Sequence, residues 1–213
     1  MSKSILIVCL SDTHGLHRGV SVPPGDILVH AGDFFTESNP DPDGLRDFDE
    51  WLGELPHPHK IVVPGNHDFA IEAHPIPHSL FKNAELLIDE GLDVLGLKFW
   101  GSPVTPLYSG AFGLSSSADR KRRYADIPVG VQMLITHGPP YGVLDHAPGE
   151  PHAGCRQLLN AVLRIKPRVH IFGHIHGAHG VLTGRPTTFA NVGLVSVTDQ
   201  LAYAPPVVEF HKD

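Results

Sequence analysis

The amino-acid sequence predicts an α/β fold with parallel central strands, and three observations carry that expectation. Short apolar runs recur over residues 4–10, 26–30, 60–63, 131–135 and 169–172, too short for helices and bounded by turns, as strands buried on both faces should be. Segments with helical spacing fall between some of them, which is the alternation of an α/β chain. Each run leads into a loop that carries Asp, Asn or His beside Gly, and in such sheets functional groups collect beyond the carboxyl ends of the strands.

Taken in order, residues 4–10 form the first strand and deliver Asp12 and His14. Residues 26–30 form the second and deliver Asp33. Leu45, Phe48, Trp51, Leu52 and Leu55 then fall at helical spacing, with Asp41 or Asp43 as cap and Pro56 as stop. Residues 60–63 deliver Asn66 and His67. From 84 to 103, β-rich stretches separated by Gly91, Gly96 and Gly101 predict antiparallel hairpins. A short helix is expected over 118–125, inside a polar stretch. Residues 131–135 deliver His137. Leu158, Leu159, Val162 and Leu163 place a helix over 155–165, ended near Pro167. Residues 169–172 deliver His174 and His176, and 187–192, 194–198 and 207–210 close the chain as strands. No internal repeat appears, and Gly and Pro are spread through the loops, so one domain over 1–213 is expected.

Bulk properties narrow the function. Hydrophobic content of 41% and charged content of 18% are those of a soluble globular protein. A formal net charge of -7 argues against a general nucleic-acid binder, whose affinity rests on Lys and Arg. No stretch approaches the roughly 18 apolar residues of a membrane span. No signal-peptide pattern appears either, because Asp12 and His14 follow the first apolar run at once. With only Cys9 and Cys155, a disulfide framework is not expected and a reducing, cytoplasmic setting is. Sixteen histidines equal the Lys and Arg residues in number. Five of them, His14, His67, His137, His174 and His176, fall in the glycine-flanked loops.

Asp12, His14, Asp33, Asn66, His137, His174 and His176 offer only oxygen and nitrogen donors. Seven ligands exceed one tetrahedral zinc but suit two divalent cations sharing a bridging carboxylate. The absence of thiolates favours Mn²⁺, Fe or Zn²⁺. Two such ions can clamp a phosphate and make hydroxide at neutral pH.

Asp12-x-His14, Gly32-Asp33, Gly65-Asn66-His67-Asp68, His137-Gly138-Pro139-Pro140 and Gly173-His174-x-His176 resemble, in order, the motifs of the calcineurin-like metallophosphoesterase superfamily. Gly101-Ser102-Pro103-x-Thr105-Pro106, Gly154-Cys155 and the run from Val169 to His176 are similar to its MPPED-type branch, the class III cyclic-nucleotide phosphodiesterases. The resemblance implies a four-layer α/β/β/α sandwich with a dinuclear site at the strand ends. It implies that Asp12, His14 and His176 hold one ion, that Asn66, His137 and His174 hold the other, and that Asp33 bridges. It makes His67 the catalytic histidine, contacting substrate with Asn66 and acting as acid, and Asp68 its orienting partner or a turn residue. The activity implied is hydrolysis of a phosphodiester, cyclic nucleotides among the candidates, by attack of a metal-bridging hydroxide. Gly177-Ala178 departs from the branch, which often carries an acidic residue after the second histidine.

Other readings stand beside these. The same metals would serve a broad phosphomonoesterase or nucleotidase; a dead scaffold would be expected to have lost ligands, and a nuclease is disfavoured by the acidic balance. The partner expected is a small phosphoester or nucleotide, with no membrane, and nothing indicates an oligomeric state. His30 and His170 read as hydrogen-bonded core residues, and His57, His59, His74 and His78 as exposed loop residues. Arg120, Lys121, Arg122 and Arg123 read as a solvated helix face with a phosphate patch as the alternative, Met133 and Trp51 as core. Tyr108, Phe112 and Tyr141 are candidates to stack on a nucleobase, with ordinary packing as the alternative.

Overall fold

The computed structural model describes residues 4–35, 42–106 and 110–211; Asp41 and Tyr108, each given a role above, lie outside them. Strands β1 (Ile5–Leu10), β2 (Ile27–His30), β3 (His59–Val62) and β4 (Glu85–Leu86) run parallel. With β13 (Val207–Phe210) antiparallel beside β1, they make a five-stranded sheet. A six-stranded sheet contains β5 (Glu90–Val94), β6 (Leu97–Ser102), β9 (Met133–Thr136), β10 (Val169–Phe172), β11 (Gly180–Leu182) and β12 (Thr188–Asn191), in the order β11-β12-β10-β9-β6-β5. A small ribbon pairs β7 (Thr105–Pro106) with β8 (Gly113–Leu114). The helices are α1 (Pro42–Glu54), α2 (Phe69–Glu72), α3 (Ser117–Ala125) and α4 (Arg156–Ile165).

The two-residue period of the strands explains the layering. Ile5, Ile7 and Cys9 of β1 share one apolar cluster with Phe99, Met133, Ile135 and Ile171, so the two sheets face each other. Val8, Leu10 and Leu28 point the other way, onto Phe48, Trp51 and Leu52 of α1. Leu134 likewise meets Tyr124 of α3 and Leu158, Val162 and Ile165 of α4. The result is the α/β/β/α arrangement expected, and it is why the strand runs are mostly apolar. Ser116 caps α3 by accepting the Asp119 amide, and α4 ends at Lys166 in the left-handed region before Pro167.

Three expectations are corrected. Residues 84–103 contain one antiparallel hairpin, β5–β6, whereas Glu85–Leu86 joins the first sheet in parallel with β3. The pairing of so short an edge strand is decided by what it packs against, not by its residues. Residues 194–198 form no strand; they run as a loop held by isolated bridges from Gly193 to Ser11 and from Val195 to Leu201. His57 is buried, at 2% exposure, because its Nε2–H donates to the Pro23 carbonyl at 2.9 Å. Cys9 and Cys155 are both free and buried. Among the described residues, no helix is long and apolar enough to cross a membrane.

The parallel strands of both sheets end at one rim. There the loops are stitched together by backbone bonds: Asp12 N–H to Gly32 O at 2.9 Å, His14 N–H to Asp33 O at 3.1 Å and Gly173 N–H to His137 O at 2.8 Å.

Candidate metal centre

All seven residues expected as ligands reach this rim, where the backbone is forced into unusual conformations. Asp12, His14, Asp33 and His174 have φ of 53°, 43°, 57° and 69°, the left-handed region that costs a non-glycine residue about 1–3 kcal/mol. The glycines beside them serve another end, close approach. A Cβ on Gly65 would lie 2.6 Å from both the Asp33 amide nitrogen and His137 Cε1, and one on Gly173 would strike Asp12 Oδ2 and Ser11 Oγ.

Three groups of donor atoms result, each with its atoms within 4.8 Å of one another: Asp12, His14 and His176; His14, Asp33 and His67; and Asp33, His137 and His174. The first is the set expected for one ion. The third joins Asp33 to two imidazoles expected for the other, and Asn66 Oδ1 adds itself at 2.8 Å from His137 Nε2. Asp33 belongs to two groups, with Oδ2 at 3.2 Å from His137 Nε2, 3.8 Å from His67 Nε2 and 4.0 Å from His14 Nε2.

Tautomers decide what these groups can hold. His14 Nδ1 lies 2.9 Å from the Phe35 carbonyl and His137 Nδ1 2.9 Å from the Ala31 carbonyl. A carbonyl only accepts, so each Nδ1 carries the hydrogen and each Nε2 presents a lone pair in the neutral ring. His14 Nε2 then faces His176 Nε2 at 3.2 Å, with Asp12 Oδ1 3.6 Å from the latter. His137 Nε2 faces Asn66 Oδ1 and Asp33 Oδ2. Lone pairs converging in this way repel unless a proton or a cation lies among them.

The protonation equilibria express the same demand. Burial alone would raise Asp33, but the His137, His67 and His14 imidazoles outweigh it and hold its carboxyl well below the usual range. Burial also opposes the ionised form of Asp12, and its bond to His176 and the His137 charge prevail, keeping it low. His137 rises to about 9 despite its burial, because of Asp33, and His176 rises despite burial because of Asp12. Desolvation and then the His137 charge push His174 down to about 4. The two buried carboxylates thus favour positive charge from protons on the imidazoles around them. A divalent cation supplies the same charge and would displace those protons. The oxygen and nitrogen donors fit such an ion, and the free thiols lie elsewhere, in the inter-sheet core and at the start of α4.

Of the two readings of Asp68, partner of the His67 ring or turn residue, its contacts fit the second. Its carboxylate accepts the amides of Asp33 at 2.9 Å, Phe34 at 3.0 Å and Gly65 at 2.6 Å, so it ties two loops together. Burial and the Asp33 charge push it up to about 8 against the pull of those donors. His67 is fixed instead by its own amide, which donates to Asp33 Oδ1 at 2.9 Å, while its Nδ1 is buried without a partner.

Around the centre, His30 Nδ1 accepts the Gly32 amide at 3.3 Å, so its Nε2–H faces Thr13 Oγ1 at 3.0 Å. His170 Nε2 meets Thr136 Oγ1 at 2.8 Å. Two contacts were not foreseen. Asp199 Oδ1 lies 3.4 Å from His176 Nδ1, and Asn191 holds the loop of His174 by donating to the Ile175 carbonyl at 3.0 Å. The alternating residues before Asp199 read as a strand, which hid it. Phe112 is absorbed by the α1-side core, and Tyr141 is covered by Arg156 rather than left open for a base. Arg122 and Arg123 are paired with Asp119 and Asp89.

Comparison with known proteins bears on the family and the fold. A family model described as calcineurin-like phosphoesterase matches residues 5–178. Metallophosphoesterase domain-containing protein 1 of Homo sapiens is 37% identical, over 95% of this chain and 70% of that protein. A UPF0046 protein of Caenorhabditis elegans is 36% identical, over 94% of this chain and 73% of that protein. Among solved structures, one crystal structure superposes with a TM-score of 0.65 at 17% identity, covering 90% of this chain and 91% of its own. GAP50, the anchor in the inner membrane complex of Plasmodium, superposes with a TM-score of 0.57 at 10% identity, covering 97% and 81%. Likeness at these identities speaks to the fold alone.

Proposed function

The chain belongs to the calcineurin-like phosphoesterase family, and from that premise we propose that it hydrolyses phosphodiester bonds with two divalent cations, Mn²⁺, Fe or Zn²⁺. A metal-dependent phosphoesterase is what the family supports in general. One observation carries the finer reading: Asp33 stands between two sets of inward-facing Nε2 atoms, as a carboxylate shared by two ions would. Asp12, His14 and His176 would hold one ion, and Asn66, His137 and His174 the other. Such ions supply Lewis acidity toward phosphoryl oxygens and hydroxide at neutral pH.

The protein's own groups do the rest. Asp33 and Asp12, kept ionised, fix the charge of the centre, and Asn66 contributes an oxygen without adding to it. His67, at 19% exposure, is reachable by a substrate while its amide anchors it to Asp33. A protonated imidazole can release its proton to a departing alkoxide, which is the role given to His67 Nε2. The choice of diester over monoester rests on the branch-specific runs at 101–106, 154–155 and 169–176. With Mn²⁺ added, a bis-aryl phosphate diester should be turned over faster than an aryl phosphate monoester. Monoester turnover above diester turnover would overturn the diester reading.

A further inference from the structure

Beyond Gly138 lies a cavity of about 270 Å³ lined by Pro106, Arg120, Tyr141, Glu150, His152 and Arg156, among others. It adjoins the metal centre. A Cβ on Gly138, the residue after His137, would meet Thr105 at 3.5 Å and His174 Cδ2 at 3.9 Å. Pro106 follows Thr105, and Tyr141 lies three residues beyond Gly138, at most about 10 Å along the chain.

The lining is cationic, with Arg156 and His152 exposed and Arg120 half-buried. The Arg156 guanidinium lies 3.5 Å over the centroid of the Tyr141 ring. Stacking occupies the face of a guanidinium and leaves its N–H edge for an acceptor. Among the described residues no carboxylate or carbonyl takes that edge. Arg120 is anchored by one Nη, which donates to the carbonyls of Leu114 and Ser115, while its Nε–H is buried with no acceptor. Such an orphaned donor is costly unless something accepts from it. His152 is held through Nδ1, 3.2 Å from Asp145 Oδ1, which leaves Nε2 as its free nitrogen. Arg156 also opens α4, whose N-terminus has no side-chain cap. Against these stands one acid, Glu150. A neutral base on Tyr141 would have to displace Arg156 from the ring.

We propose that this cavity binds a second anionic group of the substrate, a phosphate or carboxylate, and that Arg156 determines specificity for it. The assignment rests on the phosphoesterase reading for the position of the reacting phosphorus. Titration calorimetry on Mn²⁺-loaded protein tests it with three phenyl phosphonates: one carrying a distal phosphate, one a distal carboxylate, one the neutral carboxamide. The better of the two anionic compounds should bind about tenfold more tightly than the carboxamide, and their ranking identifies the group. Arg156→Gln should remove that advantage and leave the carboxamide affinity unchanged. Equal affinities in the wild type, or an equal loss for all three in the variant, would overturn the proposal. Binding needs no turnover, so a protein that fails to hydrolyse diesters yet prefers the anionic compounds would sink the diester reading alone.

Discussion

The Asp68 carboxylate accepts the amide of Asp33 at 2.9 Å, so the residue after His67 fixes the carboxylate shared by two of the donor groups. The same side chain accepts the amides of Phe34 and Gly65, and all three donors are buried in the rim. Losing an acceptor costs about 1–3 kcal/mol per buried donor, and not additively. Asp68→Ala should therefore lower unfolding free energy in urea by about 3 kcal/mol or more. Asp68→Asn, which keeps one acceptor oxygen, should lose less. A loss below about 1 kcal/mol for the alanine variant would show that the loops hold each other without it.

His67 takes part in one of the donor groups, with His14 and Asp33, so it could be read as a ligand instead of an acid. The two roles separate on removal. As a proton donor, His67→Ala should lower turnover by about 10²–10⁴-fold and keep two metals per chain. Metal analysis that finds both ions gone would overturn the catalytic role.

What the sequence made legible follows from where its chemistry stands. Asp12, Asp33, Asn66, His137, His174 and His176 each follow a buried parallel strand by a few residues, so strand and ligand could be read together. Asp68 could not be assigned from its neighbour, because two of its three partners are amides of a loop more than thirty residues away. Glu85–Leu86 carries too few residues to announce its sheet, and His57 looks exposed among prolines until the Pro23 carbonyl is brought against it. Asp199 lies beyond every motif, on a loop whose alternating residues imitate a strand. Contacts across the fold decide each of these, and local pattern does not record them.

Asp199 offers a separate test of how His176 is presented. Its Oδ1 lies 3.4 Å from His176 Nδ1, and a proton held there leaves Nε2 as the lone pair facing Asp12 and His14. Partners of this kind are commonly worth about 10–100-fold in metal affinity. Asp199 itself is largely exposed, at 73%, so the fold does not depend on it. Asp199→Ala should weaken one of the two ions by about tenfold in a competition titration and leave urea unfolding of the metal-free protein unchanged. Equal weakening of both ions would point to a general charge effect.

The buried His170 sets a pH dependence of stability that is separable from the metal centre. Thr136 Oγ1 donates to the Gly138 carbonyl at 2.7 Å, so it must accept from His170 Nε2–H at 2.8 Å. His170 Nδ1 is then a bare, buried nitrogen, and desolvation pushes the ring down to about 3. In the unfolded chain an imidazole titrates near 6.5. Between those values the unfolded chain binds a proton that the native one refuses, so stability is complete above about pH 6.5 and is lost as pH falls toward 3. One such group changes unfolding free energy by about 1.4 kcal/mol per pH unit. His170→Gln removes the titration and keeps a donor for Thr136. Its unfolding free energy should therefore lie below that of the wild type at pH 7, and the gap should close by about 1.4 kcal/mol per unit between pH 6 and 4. Contributions from His30 and the carboxylates are common to both proteins and cancel. Urea unfolding of both metal-free proteins at each pH measures the gap, and parallel curves would mean that His170 is protonated in the native state.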